Sequence, residues 1–384
     1  MMDNKVISKY QICTSCVMDT SDPEISFNDE GICDHCQNFN KNIKDDLFNN
    51  DKNRFKDLKK ICEDINRNDN KEGYNCLAGI SGGVDSSYLL HIIVKELKLK
   101  PLVVHVDTGW NSKESVNNIE KLVDKLNLDL HTEVINWREM RDLQVSFFKA
   151  GHPNLDIPQD HAIWASMHKL VVKHKIKYLF TGGNMATECI REPLEWSYHA
   201  SDLRHINDIH KKFGSIDLKT FPLCNIFTYK IYYKFFKNLK TIQLLNYFDF
   251  NKEDAMKLLE KEYGWLRYSH KHYESRFTKF FEGYWLVKKF NIDVRKVHFS
   301  SLIMTNQLNR DEALKLIENI PYDRNEISNE INFIKNKLNI SDLEFEEYLK
   351  APPKSFKEYK SYNTLIQLFV KISRFLKLEN RLIR

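Results

Sequence analysis

The stretch best suited to chemistry is GISGGVDSSYLL, from Gly79 to Leu90. A short apolar run, YNCLAGI, comes before it, and an apolar segment with helical spacing follows from Ser86 to Leu97. A strand, a glycine-rich turn and a helix in this order bring backbone N–H groups together at a helix N-terminus, where the dipole favours an anion. The pattern therefore predicts a phosphate-binding loop, and an ordinary glycine–serine turn is the alternative.

This loop contains no lysine, whereas the common G-x-x-x-x-G-K-S/T nucleotide loop uses one for the β- and γ-phosphates. A backbone cradle can hold a pyrophosphate group without a side-chain cation and leaves the α-phosphate open to attack. Asp85 could hold or orient Mg²⁺, or it could only fix the turn. The residues expected to bind pyrophosphate and Mg²⁺ are Ser81, Gly82, Gly83, Asp85, Ser86 and Ser87.

Strand-like and helix-like segments alternate from residue 74 onward. The predicted strands are YNCLAGI, PLVVHVD, DLHTEVI and IKYLFTG, and the predicted helices run from Ser86 to Leu97, Lys113 to Leu126 and Ala162 to His174. Such alternation is typical of the α/β class, a parallel sheet with helices on both faces. Two more polar clusters, DTGWNS (107–112) and TGGNMATE (181–188), follow predicted strands. Ligand sites in this class lie at the carboxyl ends of the strands, so the three clusters are expected to meet.

Four cysteines near the start have metal-ligand spacing. Cys13, Cys16, Cys33 and Cys36 form C-x2-C-x16-C-x2-C, which is typical of a zinc ribbon. Four thiolates leave no open position for water, so the Zn²⁺ is expected to be structural. His35, inside the second pair, is expected to face solvent. The other cysteines are scattered, at Cys62, Cys76, Cys189 and Cys224.

Length and charge limit the other functions. The chain has 384 residues, enough for two or three domains, and a net charge of +5. The segment from Lys354 to Arg384 has eight Lys or Arg and two Glu, a net of +6, so the rest carries 5 − 6 = −1. No basic face for nucleic acid is therefore expected on the main body. Neither a signal peptide nor a transmembrane segment is visible, so a cytoplasmic location is the default expectation.

The basic C-terminal segment has helical apolar spacing. Its apolar side, Leu365, Phe369, Ile372 and Leu376, is expected to pack on the core with the lysines in water. Docking on a partner or on an acidic membrane surface is the alternative.

The loop S-G-G-V-D-S-S resembles the PP-loop of the ATP pyrophosphatase superfamily, whose fold is of the HUP type and whose members cleave ATP between the α- and β-phosphates. Together with the cysteine ribbon, IPQDHAIWA, TGGNMATE and KHYESRFTKFFEGYW, it resembles the N-acetyl sugar amidotransferases of bacterial surface-polysaccharide biosynthesis. The similarity covers roughly Cys13 to Tyr322. It implies a zinc ribbon at 1–45, an ATP pyrophosphatase domain at 46–240, and a helical region for substrate and partner contacts at 241–384.

The resemblance implies a defined reaction with ATP, Mg²⁺ and structural Zn²⁺. The acetamido oxygen of an N-acetylated sugar attacks the α-phosphate of ATP, and ammonia then displaces AMP to leave an acetamidino group. The product would enter lipopolysaccharide, O-antigen or another surface glycan, and the sugar would be nucleotide-linked or a nonulosonic acid.

The nitrogen source is expected to be another polypeptide. The chain begins Met-Met-Asp, and its scattered cysteines lack the glycine-flanked turn of a nucleophile. The resemblance implies two partners, a separate glutaminase and a cyclase-like barrel that passes the ammonia on.

Further site residues follow from strand ends and from the family motifs. Asp107, Gly182 and Gly183 are expected to bind the nucleotide, although Asp107 could instead cap a helix. Catalytic roles are expected for Asp85, Asn184, Glu188 and Lys271, although Glu188 could only complement a helix dipole. Substrate contacts are expected from Asp160 and His161, which precede a helix, although His161 could instead be a capped or packed residue. They are also expected from His272 and Arg295, which belong with Lys271, Glu274, Arg276 and Tyr284 to a polar-aromatic set that could equally be a solvated helix face.

Two other functions compete with the sugar amidotransferase hypothesis. Some tRNA thiolases also join a cysteine ribbon to a PP-loop, but they typically need further paired cysteines, which Cys189 and Cys224 do not supply as a C-x-x-C motif. A non-catalytic ATP-binding scaffold is the second alternative, and the intact SGGVDSS loop argues against it.

Overall fold

The computed structural model describes residues 10–48, 51–67, 73–228, 232–233, 236–268 and 271–376. Within them, five parallel strands form one sheet: β1 Cys76–Gly79, β2 Pro101–Asp107, β3 Leu130–Val134, β4 Tyr178–Thr181 and β5 Lys240–Gln243. Their order is β3-β2-β1-β4-β5. The predicted α/β class and the four predicted strands are confirmed. Strand β5 was not predicted, and it crosses the expected domain boundary at residue 240.

The central strands are covered on both faces, which explains their nearly continuous apolar sequence. Side chains alternate between the two faces of a strand, so Leu77 and Leu179 join one core while Ala78 and Phe180 join the other. Strand β2 is buried along six of its seven residues. This double burial requires helices on both sides of the sheet, as the sequence predicted.

The helices before β5 include the three predicted segments. They are α1 Asp34–Asn42, α2 Lys44–Phe48, α3 Asp51–Arg67, α4 Val84–His91, α5 Lys113–Leu126, α6 Trp137–Ala150, α7 Ile157–Lys173, α8 Met185–Glu188 and α9 Leu203–Phe213. Helix α5 has the predicted bounds, with the Ser112 side chain accepting from the Ser115 N–H at its start. Helix α7 begins earlier than predicted because Pro158 fits a first helical turn. Helix α4 continues as a π-helical turn, Ile92–Glu96.

The C-terminal region is helical, as predicted. After a short 3-10 turn, Leu244–Tyr247, its helices are α10 Lys252–Tyr263, α11 Arg276–Phe280, α12 Arg295–Met304, α13 Arg310–Glu318, α14 Ile327–Leu338, α15 Asp342–Lys350 and α16 Asn363–Phe375. Helix α11 runs on as a π-helix, Phe281–Phe290, and a 3-10 turn, Phe356–Glu358, precedes α16.

The cysteine ribbon is built into the body of the protein. The Arg310 guanidinium donates to the carbonyl oxygens of Cys13, at 2.7 Å, and Cys16, at 2.9 Å. Lys296 forms an ion pair with the buried Asp19 at 2.6 Å. The expectation that His35 faces solvent was wrong: its side chain is buried, with Nε2 2.9 Å from Asp22 Oδ2, because the ribbon folds back over it.

Helix α16 is turned differently from the prediction. Phe369, Ile372 and Leu376, which were expected to pack on the core, are exposed. Leu365, the fourth predicted residue, is half-buried, and its neighbour Ile366 is buried instead. The amphipathic pattern identified the apolar side correctly but did not determine what covers it. Residues 377–384 of the basic segment lie outside the described residues. Among the described helices, none is long and apolar enough to span a membrane.

Replacing Arg310 by Met keeps the aliphatic length and removes the donors to the two ribbon carbonyls. We expect the free energy of unfolding to fall by about 2 kcal/mol, since hydrogen bonds that involve a charged group contribute about 1.5–3 kcal/mol. Denaturant titration measures the change. Lys350, paired with Glu346 on the surface, is the control, and Lys350→Met should stay within about 0.5 kcal/mol of the parent. Equal losses in both variants would contradict the anchoring role.

Candidate active site

The chain leaves β1 in two directions, and this creates the crevice of the site. From β1 it builds β2 and β3 on one side, and later β4 and β5 on the other. The carboxyl ends of β1 and β4 therefore flank a switch point, where parallel sheets bind ligands. A Cβ atom added to Gly182, just after β4, would lie 3.1 Å from the Ser86 backbone nitrogen. Glycine at 182 thus lets the end of β4 approach the loop after β1.

The loop after β1 is held in shape by long-range contacts to one carbonyl group. Gly82 has φ +83°, and its carbonyl oxygen accepts from Trp265 Nε1 at 2.9 Å, the Tyr268 hydroxyl at 3.1 Å and Asn118 Nδ2 at 3.4 Å. A Cβ atom at position 82 would lie 2.6 Å from the Ser115 carbonyl oxygen. Both the backbone angle and the space therefore require glycine.

The serines of the loop bind each other and the loop backbone. Ser86 Oγ accepts from the Ser81 N–H at 3.2 Å, and Ser81 Oγ accepts from the Gly83 N–H at 3.3 Å. Ser87 is fully buried, and its N–H donates to the Gly83 carbonyl oxygen at 3.0 Å as the helix begins. The predicted loop residues therefore form one turn, with Ser81 and Ser86 reaching the cavity above it.

Glu274, from the C-terminal region, lies directly against this loop. Its Oε1 accepts from the Ser81 hydroxyl at 3.3 Å, and a Cβ atom added to Gly83 would come within 2.6 Å of the same oxygen. Its carbonyl oxygen accepts from the Ser112 N–H at 2.9 Å, which attaches this segment to the cluster after β2. The three predicted polar clusters are thus brought together, and a fourth segment closes over them.

Asp85 Oδ1 is buried and has no hydrogen-bond partner among the residues that the structure describes. Burial raises the pKa of the Asp85 carboxyl, while the nearby Lys271 ammonium favours the ionised form. Two carboxylates beside a loop shaped for phosphate, Asp85 and Glu274, are the donor type that Mg²⁺ prefers. This donor set fits a divalent cation bound together with a polyphosphate.

A cavity of about 510 Å³ extends from the loop along the carboxyl ends of the strands. One part is apolar and the other part is acidic. This volume is in the range of small-molecule and cofactor sites. The apolar part suits a purine base, and its lining includes Val104, Val106, Trp164, Met167 and Leu179.

A second cavity of about 350 Å³ adjoins the first. It contains Glu188 and Lys271, and the residues that line both cavities are Asn154, Asp160, Glu192, Ser197 and His272. A third space of about 280 Å³ lies over the loop, beside Asp85, Lys252 and Arg267. The site can therefore hold two molecules that meet at a common wall.

Two cationic side chains stand at this junction, each paired with a carboxylate. Lys271 Nζ lies 2.7 Å from Glu188 Oε1, and His272 Nδ1 lies 2.9 Å from Glu282 Oε1. Burial lowers the pKa of His272, but the Glu282 carboxylate outweighs it and raises that pKa to about 9. Burial likewise opposes the charge on Lys271, and Glu188 and Asp85 raise its pKa nonetheless. Both groups are therefore positively charged at neutral pH.

Three carboxyl groups that line the cavities have a raised pKa. The Asp160 side chain is exposed to the two cavities, and reduced hydration within them raises its pKa to about 7, with Glu192 and Glu282 adding to the effect and His272 opposing it. Burial also raises the pKa of Asp156 and of Glu192. Asp160 lines both cavities, so a group with a pKa close to neutrality faces the junction.

Several predicted residues have structural partners instead of open positions. Arg295 is buried, paired with Asp293 at 2.7 Å, and donates to the carbonyl oxygens of Leu316, Ile317 and Asn319. Its predicted substrate contact therefore gains no support. The Arg276 guanidinium lies 3.4 Å from the centre of the Phe333 ring, paired with Glu330.

Three more predicted site residues form hydrogen bonds with the protein backbone: His161, Asn184 and Asp107. His161 is buried, with Nδ1 2.7 Å from the Ala200 carbonyl oxygen and Nε2 accepting from the Cys224 N–H. Asn184 Oδ1 accepts from the Thr187 N–H and so caps α8. Asp107 accepts from the Gly109 N–H at 2.8 Å, which fixes the turn after β2. Gly183 packs close to the Gln243 side chain of β5. Their direct roles in binding or catalysis stay predictions.

Other site residues were not predicted at all. They are Asn154, Asp156, Glu192, Lys252, Arg267 and Glu282. Asp156 precedes the IPQDHAIWA motif, and Glu282 lies eight residues after Glu274 in the helical segment, so their positions near motifs were the available signal. Nothing in the local spacing distinguishes them from surface carboxylates.

The four ribbon cysteines are arranged as metal ligands. Their Sγ atoms all lie within 4.8 Å of one another and all four residues are buried. Cys13 Sγ accepts from the N–H groups of Ser15, Cys16 and Cys33, which stabilises a thiolate. The cluster fits a tetrahedral metal ion, and it lies in the ribbon at the protein's N-terminal part.

Gly82→Ala should destabilise the loop and abolish nucleotide binding. The left-handed backbone alone costs an alanine about 1–2 kcal/mol, and the clash with the Ser115 carbonyl adds to it. Gly264 is a matched control, because it also has positive φ, +68°, while the closest atom to an added Cβ is the end of the Lys121 side chain at 3.8 Å. Thermal unfolding with and without Mg-ATP measures both effects. An unchanged ATP shift in Gly82→Ala would refute the role of the loop.

Asp160→Asn should change how stability depends on pH. The folded-state pKa of about 7 lies above the ordinary value of 3.8. Between these values the unfolded chain has released the proton that the folded protein still holds, so the parent loses stability as pH rises through this window and levels off above it. The melting temperature of Asp160→Asn, relative to the parent, should therefore increase across the window and then stay constant. Asp217→Asn, on the surface, is the control; a constant difference in both variants would contradict the assignment.

Comparison with known proteins gives two family matches. Residues 75–182 match the phosphoadenosine phosphosulfate reductase domain, and residues 274–373 match the C-terminal domain of "LPS biosynthesis protein WbpG-like". The first match begins just before β1 and ends at Gly182, so it covers the loop and both flanks of the crevice. The second begins at Glu274, the residue that lies against the loop.

Two individual proteins are similar to parts of the chain. An uncharacterized protein of Methanocaldococcus jannaschii is 35% identical over 99 residues, which are 25% of this chain and 35% of that protein. The chain thus spans about a third of the length of this curated relative. Among solved structures, the U34-tRNA thiolase NcsA from Methanococcus maripaludis with its 4Fe–4S cluster has 14% identity and a TM-score of 0.29, over 68% of this chain and 80% of that one.

The two family matches correspond to the two parts of the site. One supplies the loop and the strand ends of a PP-loop domain, and the other supplies the segment that closes over them. The chain therefore combines a PP-loop domain with a C-terminal domain similar to that of the WbpG-like proteins.

Proposed function

We propose that the protein is an ATP-dependent, AMP-forming amidotransferase that converts the acetamido group of an N-acetylated sugar into an acetamidino group. The product would be used in lipopolysaccharide, O-antigen or another surface glycan. The observation that carries the proposal is the pair of adjoining cavities at the PP-loop, which share Asp160, Glu192 and His272. One suits ATP and the other a polar second substrate.

The geometry suits attack on the α-phosphate. The loop after β1 would hold the pyrophosphate, and Asp85 and Glu274 would hold Mg²⁺ beside it. The bound ion would neutralise charge on the phosphates. The α-phosphate would then point toward the junction, where the acetamido oxygen forms the new P–O bond and pyrophosphate leaves. Lys271 and His272, both positively charged, would stabilise the negative charge that develops there.

The four-cysteine cluster would hold structural Zn²⁺. Its thiolates leave no position for substrate, and Arg310, Lys296 and Ser300 attach the ribbon to the C-terminal helices. In this role the metal stabilises the fold of the region that covers the site.

Ammonia would come from separate subunits, a glutaminase and a cyclase-like barrel. Burial raises the pKa of the Cys62, Cys76 and Cys224 thiols, which makes each a poor nucleophile. Cys189 is buried, and its Sγ donates to the Ser301 carbonyl oxygen. These surroundings support a separate source of ammonia.

A tRNA thiolase activity is the alternative, and the remaining cysteines support it poorly. Cys189 Sγ donates to the Ser301 carbonyl oxygen and Cys224 Sγ to that of Asn225, each at 3.7 Å. These contacts place the two thiols in separate packing environments, whereas sulfur transfer or a cluster needs thiols that act together.

Incubation with ATP, Mg²⁺, ammonium and nucleotide-linked diacetamido sugars tests the proposal. We expect AMP, pyrophosphate and a sugar in which one amide oxygen has been replaced by NH, measured by mass spectrometry. If no N-acetylated sugar of any kind leads to AMP, the proposal fails. AMP formation that depends on tRNA and a sulfur donor would instead establish the thiolase activity.

Lys271→Ala provides the matching variant. Loss of one group that stabilises transition-state charge typically lowers kcat by about a hundredfold or more, and this is the expected result. Metal content and melting temperature should change little, because Lys271 does not contact the ribbon. Lys279→Ala, which removes an ion pair with Glu326 outside the two cavities, should keep near-parent turnover. A collapse of stability in Lys271→Ala would assign the residue to packing.

A further inference from the structure

The outer side of helix α16 is a stripe of large apolar side chains open to solvent. Phe375 is 87% exposed, Leu376 57%, Leu368 54% and Ile372 46%, while Ile366 on the opposite side is 5% exposed. Residues three or four positions apart share one face of a helix, so these side chains form a continuous strip along the helix. A strip of this kind is characteristic of a surface that is covered by something else.

Contacts at both ends hold α16 flat against the protein. Near its start, the Tyr362 N–H donates to Asp202 Oδ2 at 2.6 Å, and the Tyr362 ring lies 5.6 Å from the Phe227 ring. Near its end, Arg374 donates to the Asn38 side chain of the ribbon helix α1 at 3.4 Å. The apolar strip therefore points outward along its whole length, which allows the helix to lie in the plane of a flat surface.

An aromatic side chain beside the start of α16 is also exposed. Phe227, which contacts Tyr362, is 37% exposed, and Tyr232 and Phe236, a few residues further along the chain, are 43% and 75% exposed. The Tyr232 and Phe236 rings stack with 6.1 Å between centroids, and Lys237 Nζ lies 5.4 Å from the Tyr232 ring centre. Aromatic rings beside lysines are typical of protein segments at the membrane–water interface.

The positive charge of the chain is concentrated around the same helix. The segment from Lys354 to Arg384 has a net charge of +6, while the rest of the chain has −1. Within α16 the charged residues are Lys371 and Arg374, and no acidic residue is present. Anionic lipids attract each basic residue near their surface by about 1 kcal/mol. An apolar strip of Phe, Leu and Ile beside lysines and arginines is typical of helices that lie on an anionic lipid surface.

We propose that α16 docks on an anionic lipid surface, with its outer strip in the headgroup region and the flanking lysines and arginines against the lipid phosphates. The protein would then work bound to the membrane surface without crossing it. This inference is independent of the proposed sugar reaction, because it rests only on the helix, its neighbours and the charge distribution.

Sedimentation of the full-length protein with lipid vesicles tests the proposal. We expect binding to vesicles of phosphatidylglycerol and phosphatidylcholine, weaker binding at high salt, and little binding to pure phosphatidylcholine. The double variant Ile372→Asn/Phe375→Asn should bind the anionic vesicles at least about a hundredfold more weakly, because two apolar side chains that the lipid would bury are lost. Both side chains are exposed, so the melting temperature and the ammonium-driven turnover should stay at parent values.

Leu343→Asn is the matched control, because Leu343 on α15 is 71% exposed and lies outside the strip. It should bind vesicles like the parent. The proposal is overturned if the parent does not bind anionic vesicles, or if both sets of substitutions weaken binding equally. A protein partner would replace the lipid in the proposal if vesicle binding is absent and the strip variant loses either self-association or glutamine-driven turnover with the partner subunits.

Discussion

The structure of the site depends on how the Gly82 carbonyl group is held. Trp265 and Tyr268 from the C-terminal region and Asn118 from α5 donate to this oxygen and fix its orientation. The N–H groups of Ser81 and Gly83 on either side of it donate to serine hydroxyls of the same turn. A glycine-rich turn could adopt many conformations in isolation, and these three donors select one of them. The phosphate site is therefore created jointly by the sheet and by the region that covers it.

The same joint construction extends to the charges of the site. Three charged residues within a four-residue stretch each face a different partner. Lys271 pairs with Glu188 of α8, and His272 pairs with Glu282 of the next helix. Glu274 accepts from Ser81 in the loop. His272 has φ +65°, an uncommon conformation that turns its side chain back toward Glu282. Positive and negative groups alternate at the junction of the two cavities. The cationic Lys271 and His272 can bind a polyanion there, and the carboxyl groups beside them can accept a proton.

The ribbon and the C-terminal helices form one structural unit with the sheet. The ribbon cysteines belong to the same core as Leu77 of β1 and Trp285 of the covering helix. Arg310, at the start of α13, donates to the ribbon backbone. The Thr305 hydroxyl, at the end of α12, donates to the Ala186 carbonyl oxygen of α8. Structural metal sites contribute to folding free energy, so a metal in the ribbon would support the cover over the site as well.

The local sequence determined those features that depend on spacing alone. Short apolar runs between helical segments identified β1 to β4, and the two cysteine pairs identified the ribbon, because each pattern lies within a short stretch of sequence. Strand β5, which reads KTIQ at the sheet edge, carries too little of that pattern and was missed. Arg295 and His161 were candidate site residues, and only the fold showed that both bind the protein's own backbone. Glu282 was not a candidate, and only the fold showed that it pairs with His272 at the junction. For α16, periodicity marked the apolar side, but only the packing decided that this side faces outward. The physical reason is the same in each case. Spacing along the chain determines which side chains share a face of a helix or strand. The partner of that face comes from a distant part of the chain, which only the tertiary structure brings near.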